Sequence, residues 1–129
     1  MNIIIAGVGK IGRTLAKQLA AEGHDLTLID EKNRVLEGTV EAFDAMGACG
    51  NCASMEVLKS AGIENTDLVI AVTNADEVNL LCCLTAHGLN PKVMSIELPK
   101  PLSQQTNLGH SKTFPRMIFS IRREKSFAY

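Results

Sequence analysis

Six residues near the start of the chain, Gly7-Val8-Gly9-Lys10-Ile11-Gly12, have the spacing Gly-x-Gly-x-x-Gly. Each glycine has its own physical task in such a turn. Gly7 lets the chain bend sharply off a strand, Gly9 lets the backbone come close to a pyrophosphate, and Gly12 lets the next helix pack against the strand. A helix beginning there aims free N–H groups and a partial positive charge at phosphates. Asp30 follows eighteen residues after Gly12. A carboxylate at that place can accept both hydroxyls of a ribose and repels a 2′-phosphate. The chemistry these residues suit is the grip of an NAD-type dinucleotide (NADH or NAD+) in preference to NADP, a preference moderated by the nearby Lys32 and Arg34. A lone glycine turn is a weak signal; its position between a strand and a helix gives it weight.

Two further turns fall at strand C-termini, where ligands bind in open α/β sheets. They are Gly50-Asn51-Cys52-Ala53-Ser54 and Thr73-Asn74-Ala75-Asp76-Glu77. Gly50, Asn51, Thr73 and Asn74 are candidates to line the adenosine and the second ribose. Helix capping by Ser54 or Asp76 accounts for the same residues equally well. Cys49 and Cys52 have the spacing of a redox pair or half a zinc site, but no second such pair follows. Small buried residues are therefore expected at the four cysteines, with no metal site. No Ser/His/Asp or Cys/His arrangement is recognisable; His24 is expected in a loop and His87 at a helix end, neither with an evident acidic partner in the sequence, and His110 in the irregular tail. A dehydrogenase needs a further domain to hold its substrate, so no catalytic residue is expected and binding without turnover fits best. The rival readings are a small NAD-dependent oxidoreductase, a detached cofactor-binding domain, or a redox or metal sensor built on Cys49 and Cys52.

The elements that must position these residues follow from periodicity. Residues 2–6 are a short β-branched run of the kind buried on both faces of a sheet. Ile11, Leu15, Ala16 and Leu19 recur at helical spacing, and Gly23 is placed to end that helix. Residues 26–30 form a second strand, residues 32–41 a short helix and residues 43–48 a weak strand interrupted by Gly47. Ser54 starts a helix stopped by Gly62. Residues 67–72 are a strongly apolar strand, Asp76 or Glu77 begins a helix ended by His87-Gly88, and residues 92–96 are a final strand. This alternation predicts an α/β fold, a Rossmann-like doubly wound parallel sheet with helices on both faces. The order stops near Pro99. Residues 99–116 hold three prolines and no period, and Met117–Ile121 fits a short strand or an anchor.

Composition bounds the reading. The 129 residues are 46% hydrophobic and 21% charged, ordinary for one globular domain. One Tyr, four Phe and no Trp argue against a nucleic-acid stacking platform. No apolar run approaches the roughly 18 residues of a membrane span, and Met1-Asn2 leads into a strand without a secretory leader, so a cytoplasmic protein is expected. Residues 98–129 carry six Lys/Arg against one Glu, a net of +5; residues 1–97 carry 7 Lys/Arg and 13 Asp/Glu, a net of −6. The expected organisation is a dinucleotide-binding domain over residues 1–97 and a basic, mostly irregular tail over 98–129.

The motifs also resemble a known family. Gly7–Gly12, Leu28-Ile-Asp30, Gly50-Asn51 with Ala53-Ser54, Leu58-Lys-Ser-Ala-Gly-Ile63, Asp67-Leu-Val-Ile-Ala-Val-Thr73 and Asp76-Glu-Val-Asn79 stand in the order and spacing of Trk/Ktr-type potassium-uptake regulatory subunits, the KTN or RCK N-terminal domains. The likeness spans residues 1 to about 96. It implies a cytoplasmic gating module on the inner face of the membrane, docked on an integral membrane potassium-transport subunit. It further implies binding of NAD(H), or of ATP or ADP as in some members, and assembly into homo-oligomeric dimers or rings. It implies that Gly7 to Ile11, Asp30, Thr73 and Asn74 contact the nucleotide. The sequence departs from the family after Ile96: where members carry an arginine able to reach the nucleotide, this chain has Leu98.

Overall fold

The computed structural model describes residues 1–98, and the expectations for the tail lie outside them. Five parallel strands form one sheet in the order β3-β2-β1-β4-β5. They are β1 (Asn2–Ala6), β2 (Asp25–Asp30), β3 (Met46–Cys49), β4 (Leu68–Ala71) and β5 (Met94–Glu97). The connecting helices are α1 (Lys10–Ala21), α2 (Asn33–Phe43), α3 (Met55–Ser60) and α4 (Asp76–Leu89). The chain therefore has the expected Rossmann-like architecture.

Side chains alternate across a strand, so each central strand feeds two cores. Ile3, Ile5, Leu26, Leu28, Leu68 and Ile70 turn to one face and meet Ile11, Leu15 and Leu19 of α1 and Leu36 of α2. Ile4, Ala6, Ile29, Val69 and Ala71 turn to the other and meet Leu58 of α3, Ile63, and Cys82, Cys83 and Ala86 of α4. The register Ile4↔Thr27 and Ile4↔Val69 keeps the strand ends level, so every βα turn opens at the same edge. β1 lies between β2 and β4, and the turn after β1 sits where the winding changes direction, the place where such sheets take ligands.

Local chemistry explains the boundaries. Gly23 adopts φ +84°, with its N–H donating to the Ala20 carbonyl at 3.0 Å, and so ends α1 as expected. Three boundaries differ from expectation. Phe43 closes α2 instead of opening β3: Asp44 takes the left-handed conformation, φ 50°, and strand pairing starts at Met46. Gly47 does not interrupt β3, because a Cβ there would meet Val40 of α2 at 2.8 Å, and its absence lets helix and strand approach. α4 runs past His87-Gly88 to Leu89. Its stop is Asn90, held extended ahead of Pro91, with its side-chain amide donating to the Ile63 and Thr66 carbonyls at 2.9 and 3.1 Å. A 3-10 turn at Ile63–Asn65, unforeseen from periodicity, precedes β4.

Candidate functional site

At the C-terminal edge of the sheet four turns enclose a cleft of about 330 Å³. The turn after β1 supplies Gly7, Val8 and Gly9; that after β2 supplies Asp30, Glu31 and Lys32; that after β3 supplies Gly50, Asn51 and Cys52; that after β4 supplies Thr73, Asn74 and Ala75. The fold thus gathers eight of the eleven residues singled out from sequence. Lys10, Ile11 and Gly12 do not line the cleft but form the first turn of α1 behind it.

The glycine turn is built for close approach. Gly7 adopts φ +104°, and a Cβ there would press on the Val72–Thr73 peptide at 3.0 Å, so the turns after β1 and β4 touch. A Cβ on Gly12 would overlap the Gly7 carbonyl, so Gly12 is needed against the turn itself. Gly9 is different: a Cβ there would meet no atom within 4 Å and would enter open space. Gly9 is also the N-cap of α1 and brings no side-chain acceptor, which leaves the first-turn amides facing outward uncapped. An anion suits that position.

Asp30 does more than face the cleft. Its Oδ2 accepts from the Val8 N–H at 2.9 Å and its Oδ1 from the Lys32 N–H at 2.8 Å, tying two turns together. Each carboxylate oxygen has a second lone pair for a hydroxyl donor. Val8, with a fully buried side chain and its amide given to Asp30, supports the turn. Across the cleft, the Asn51 Oδ1 accepts from Ala53 N–H at 2.9 Å, and Ser54 caps α3 by accepting from Val57 N–H at 3.4 Å. Asp76 lies in the first turn of α4, whose N-cap is Ala75.

The residue that sequence reasoning left without a role is Asn79. It is 1% exposed, and its Oδ1 accepts from the Thr73 N–H at 2.9 Å and the Thr73 hydroxyl at 2.6 Å. Its Nδ2 donates to the Thr73 carbonyl at 3.2 Å. This side chain fixes the turn that carries Thr73 and Asn74. Leu98, where the family carries arginine, is 2% exposed and packs in the core beneath α1, its N–H donating to the Ala71 carbonyl at 3.1 Å.

Neither described histidine enters the cleft: His24 sits beside the Met1 amine and Glu22, and His87 bonds Ser95 at 3.0 Å. The cysteines divide unexpectedly. Cys52, Cys82 and Cys83 are buried, as expected of small core residues, but Cys49 is exposed. The Cys82 thiol meets the Cys52 sulfur, and that hydrogen bond draws the Cys52 thiol below its ordinary value against the opposing pull of burial. The same bond and burial push Cys82 up, and burial pushes Cys83 up. No group of three or more His, Cys, Asp or Glu among the described residues could hold a metal ion.

A helix start without a side-chain cap, beside a carboxylate at the end of β2, is joined here to a family match over residues 3–102. The chain belongs to the TrkA-N domain family. The resemblance drawn from the motifs is thereby borne out. A Trk system potassium uptake protein TrkA homolog of Methanothermobacter thermautotrophicus is 33% identical over 117 residues, which cover 91% of this chain and 51% of that protein. This TrkA-N chain thus spans about half the length of that relative. Among solved structures, the TrkA-N domain of the inner membrane protein ybaL from Escherichia coli superposes with TM-score 0.69 at 20% identity, over 74% of this chain and 70% of that one. The GsuK channel bound to NAD superposes with TM-score 0.64 at 20% identity, over 79% of this chain and 20% of the channel. Both show the same fold. No described helix of this TrkA-N domain is long and apolar enough to cross a membrane.

Proposed function

We propose that this chain is the nucleotide-sensing part of a non-enzymatic regulator that gates a membrane potassium-transport subunit from the cytoplasmic face, with NADH or NAD+ as its ligand. One observation carries the reading: the open space at Gly9, in front of the uncapped start of α1, lies in one cleft with the Asp30 carboxylate. The amides of the N-cap Gly9 and of Lys10, Ile11 and Gly12 in the first turn hold the pyrophosphate, and Asp30 takes the ribose hydroxyls. Gly50 and Asn51 on one side, and Thr73 and Asn74 on the other, flank the nucleoside halves. The potassium system and the docking partner enter through the family and the name of the relative. The NAD seen in GsuK supports the choice of ligand.

Regulation works through a difference in affinity. A dinucleotide that binds one arrangement of paired domains more tightly shifts the population toward it, and only by that difference. The regulator is therefore a homo-oligomer, a dimer or a ring. ATP and ADP share the adenosine and phosphates and are the competing ligands. The oxidoreductase reading has less support, since no described histidine reaches the cleft.

Calorimetric titration of the purified chain with NADH, NADPH, ATP and ADP tests the reading. NADH is expected to bind more tightly than NADPH, with no substrate-dependent change in nicotinamide absorbance. Equal affinity for NADPH removes the role of Asp30, and steady NADH oxidation with a carbonyl substrate overturns the regulator.

A further inference from the structure

The spacing Cys49-x-x-Cys52 suggests that these two sulfurs pair, but the fold separates them. Cys49 is exposed, and its sulfur lies 3.5 Å from the Glu31 carbonyl. Cys52 turns inward, into the core shared with α3 and α4, where its sulfur meets that of Cys82. Cys83, the next residue of α4, is engaged by the Ser95 side chain on β5. Cys52 is also a wall residue of the nucleotide cleft, while Cys82 is fully buried behind it. One thiol at a ligand cavity is thus backed by a second, fully buried and in contact with it.

We propose that Cys52 and Cys82 form a reversible disulfide site, oxidised by a low-molecular-weight disulfide entering the empty cleft and shielded when a dinucleotide fills it. The Cys52 thiolate attacks one sulfur of the small disulfide and forms a mixed disulfide with it; the S–S bond of the reagent breaks, and its other sulfur leaves as a thiolate that takes up the proton lost by Cys52. The Cys82 thiolate then attacks the Cys52 sulfur of the mixed disulfide and expels the second small thiol, which takes the Cys82 proton. Two protein thiols lose two electrons and the small disulfide becomes two thiols. The hydrogen bond from Cys82 favours the first attack, because it stabilises the thiolate at Cys52. The bridge joins the turn after β3 to α4, both of which contribute to the wall of the cleft. The shielding rests on the proposed nucleotide function; the bridge itself does not.

The experiment treats the full 129-residue chain with hydroxyethyl disulfide, blocks remaining thiols, and maps the proteolytic peptides by mass spectrometry. The expected product is a monomer lighter by two hydrogens, with Cys52 linked to Cys82. A variant carrying Cys49→Ser and Cys83→Ser forms the same bridge, which makes the assignment unambiguous, whereas Cys82→Ser stops at the mixed disulfide on Cys52. If Cys82→Ser does not fold, the map of the parent and of the double variant decides alone. NADH at a hundred times its Kd is expected to slow the bridge roughly a hundredfold, because only the empty cleft admits the reagent. A Cys49–Cys52 bridge, or no bridge under conditions that modify Cys49, overturns the proposal. Bridging at an unchanged rate in chain saturated with NADH overturns the shielding, while absence of NADH binding refutes the nucleotide function and leaves the peptide map to judge the bridge.

Discussion

Substitution of Gly9 by alanine separates binding from stability more cleanly than any other change in the cleft. The backbone of Gly9, φ −74° and ψ −161°, suits any L-residue, and the added methyl meets nothing within 4 Å. Alanine stiffens the unfolded chain, which stabilises by about 0.4–1 kcal/mol. It is a poorer N-cap than glycine, which costs about 0.5–1 kcal/mol. The two nearly cancel. In a domain of this size one kcal/mol moves Tm by about 4–8 °C, so the melting point of Gly9→Ala should stay within about 4 °C of the parent. Binding responds otherwise, since the methyl occupies the space a phosphate must enter. Losing one hydrogen bond to a charged group, about 1.5–3 kcal/mol, weakens NADH by roughly 10–150-fold. Gly12→Ala provides the contrast. Its methyl collides with the Gly7 carbonyl, and backbone cannot step aside as a flexible side chain can. It should cost the upper part of the about 1–3 kcal/mol typical of overpacking. Calorimetry with NADH and thermal melting of both variants are the assays. If Gly9→Ala binds NADH as the parent does, the phosphates do not come to Gly9 and the proposed cradle is wrong.

Asp30→Ala removes the ribose acceptor together with the anchors of the Val8 and Lys32 amides. NADH should weaken by about 10–100-fold and the preference over NADPH should vanish, since the repulsive carboxylate is gone; a preference that survives in paired titrations would show that another group sets it. Asn79→Leu leaves the Thr73 N–H and hydroxyl without their acceptor. At about 1–3 kcal/mol for each of these two part-buried groups, urea unfolding should reveal a loss of about 2–6 kcal/mol, and a midpoint equal to the parent's would deny the clamp.

The alternation of strands and helices was readable because each element keeps one period over its length: β-branched residues at 3–5, and apolar positions 11, 15, 16 and 19 on one helical stripe. The residues facing the cleft were readable for a related reason, since the turn after each parallel strand must open at the same edge. Boundaries were harder. Pro91 held the signal that ends α4, yet His87-Gly88 resembles a stop more strongly than a residue held extended ahead of a proline. Gly47 looked like an interruption because its partner, Val40, lies on a different element. The same limit hid the clamp of Asn79 on Thr73 and the meeting of Cys52 with Cys82. Both depend on which helix face turns inward at a distant strand end, and local spacing encodes only the stripe, not the neighbour it meets. Cys49 and Cys52 are close in sequence and still diverge, since a strand end lies between them.

The carboxylate of Asp30 grips the glycine turn through a hydrogen bond made wholly within the protein. The ordering entropy of that turn is spent during folding and not at the moment of encounter. Arrival should accordingly proceed in one bimolecular step at an ordinary protein–ligand rate, with no slow rearrangement of the turn afterwards. In the proposed regulator, the larger movement that carries the signal is therefore expected between whole domains and not within this loop.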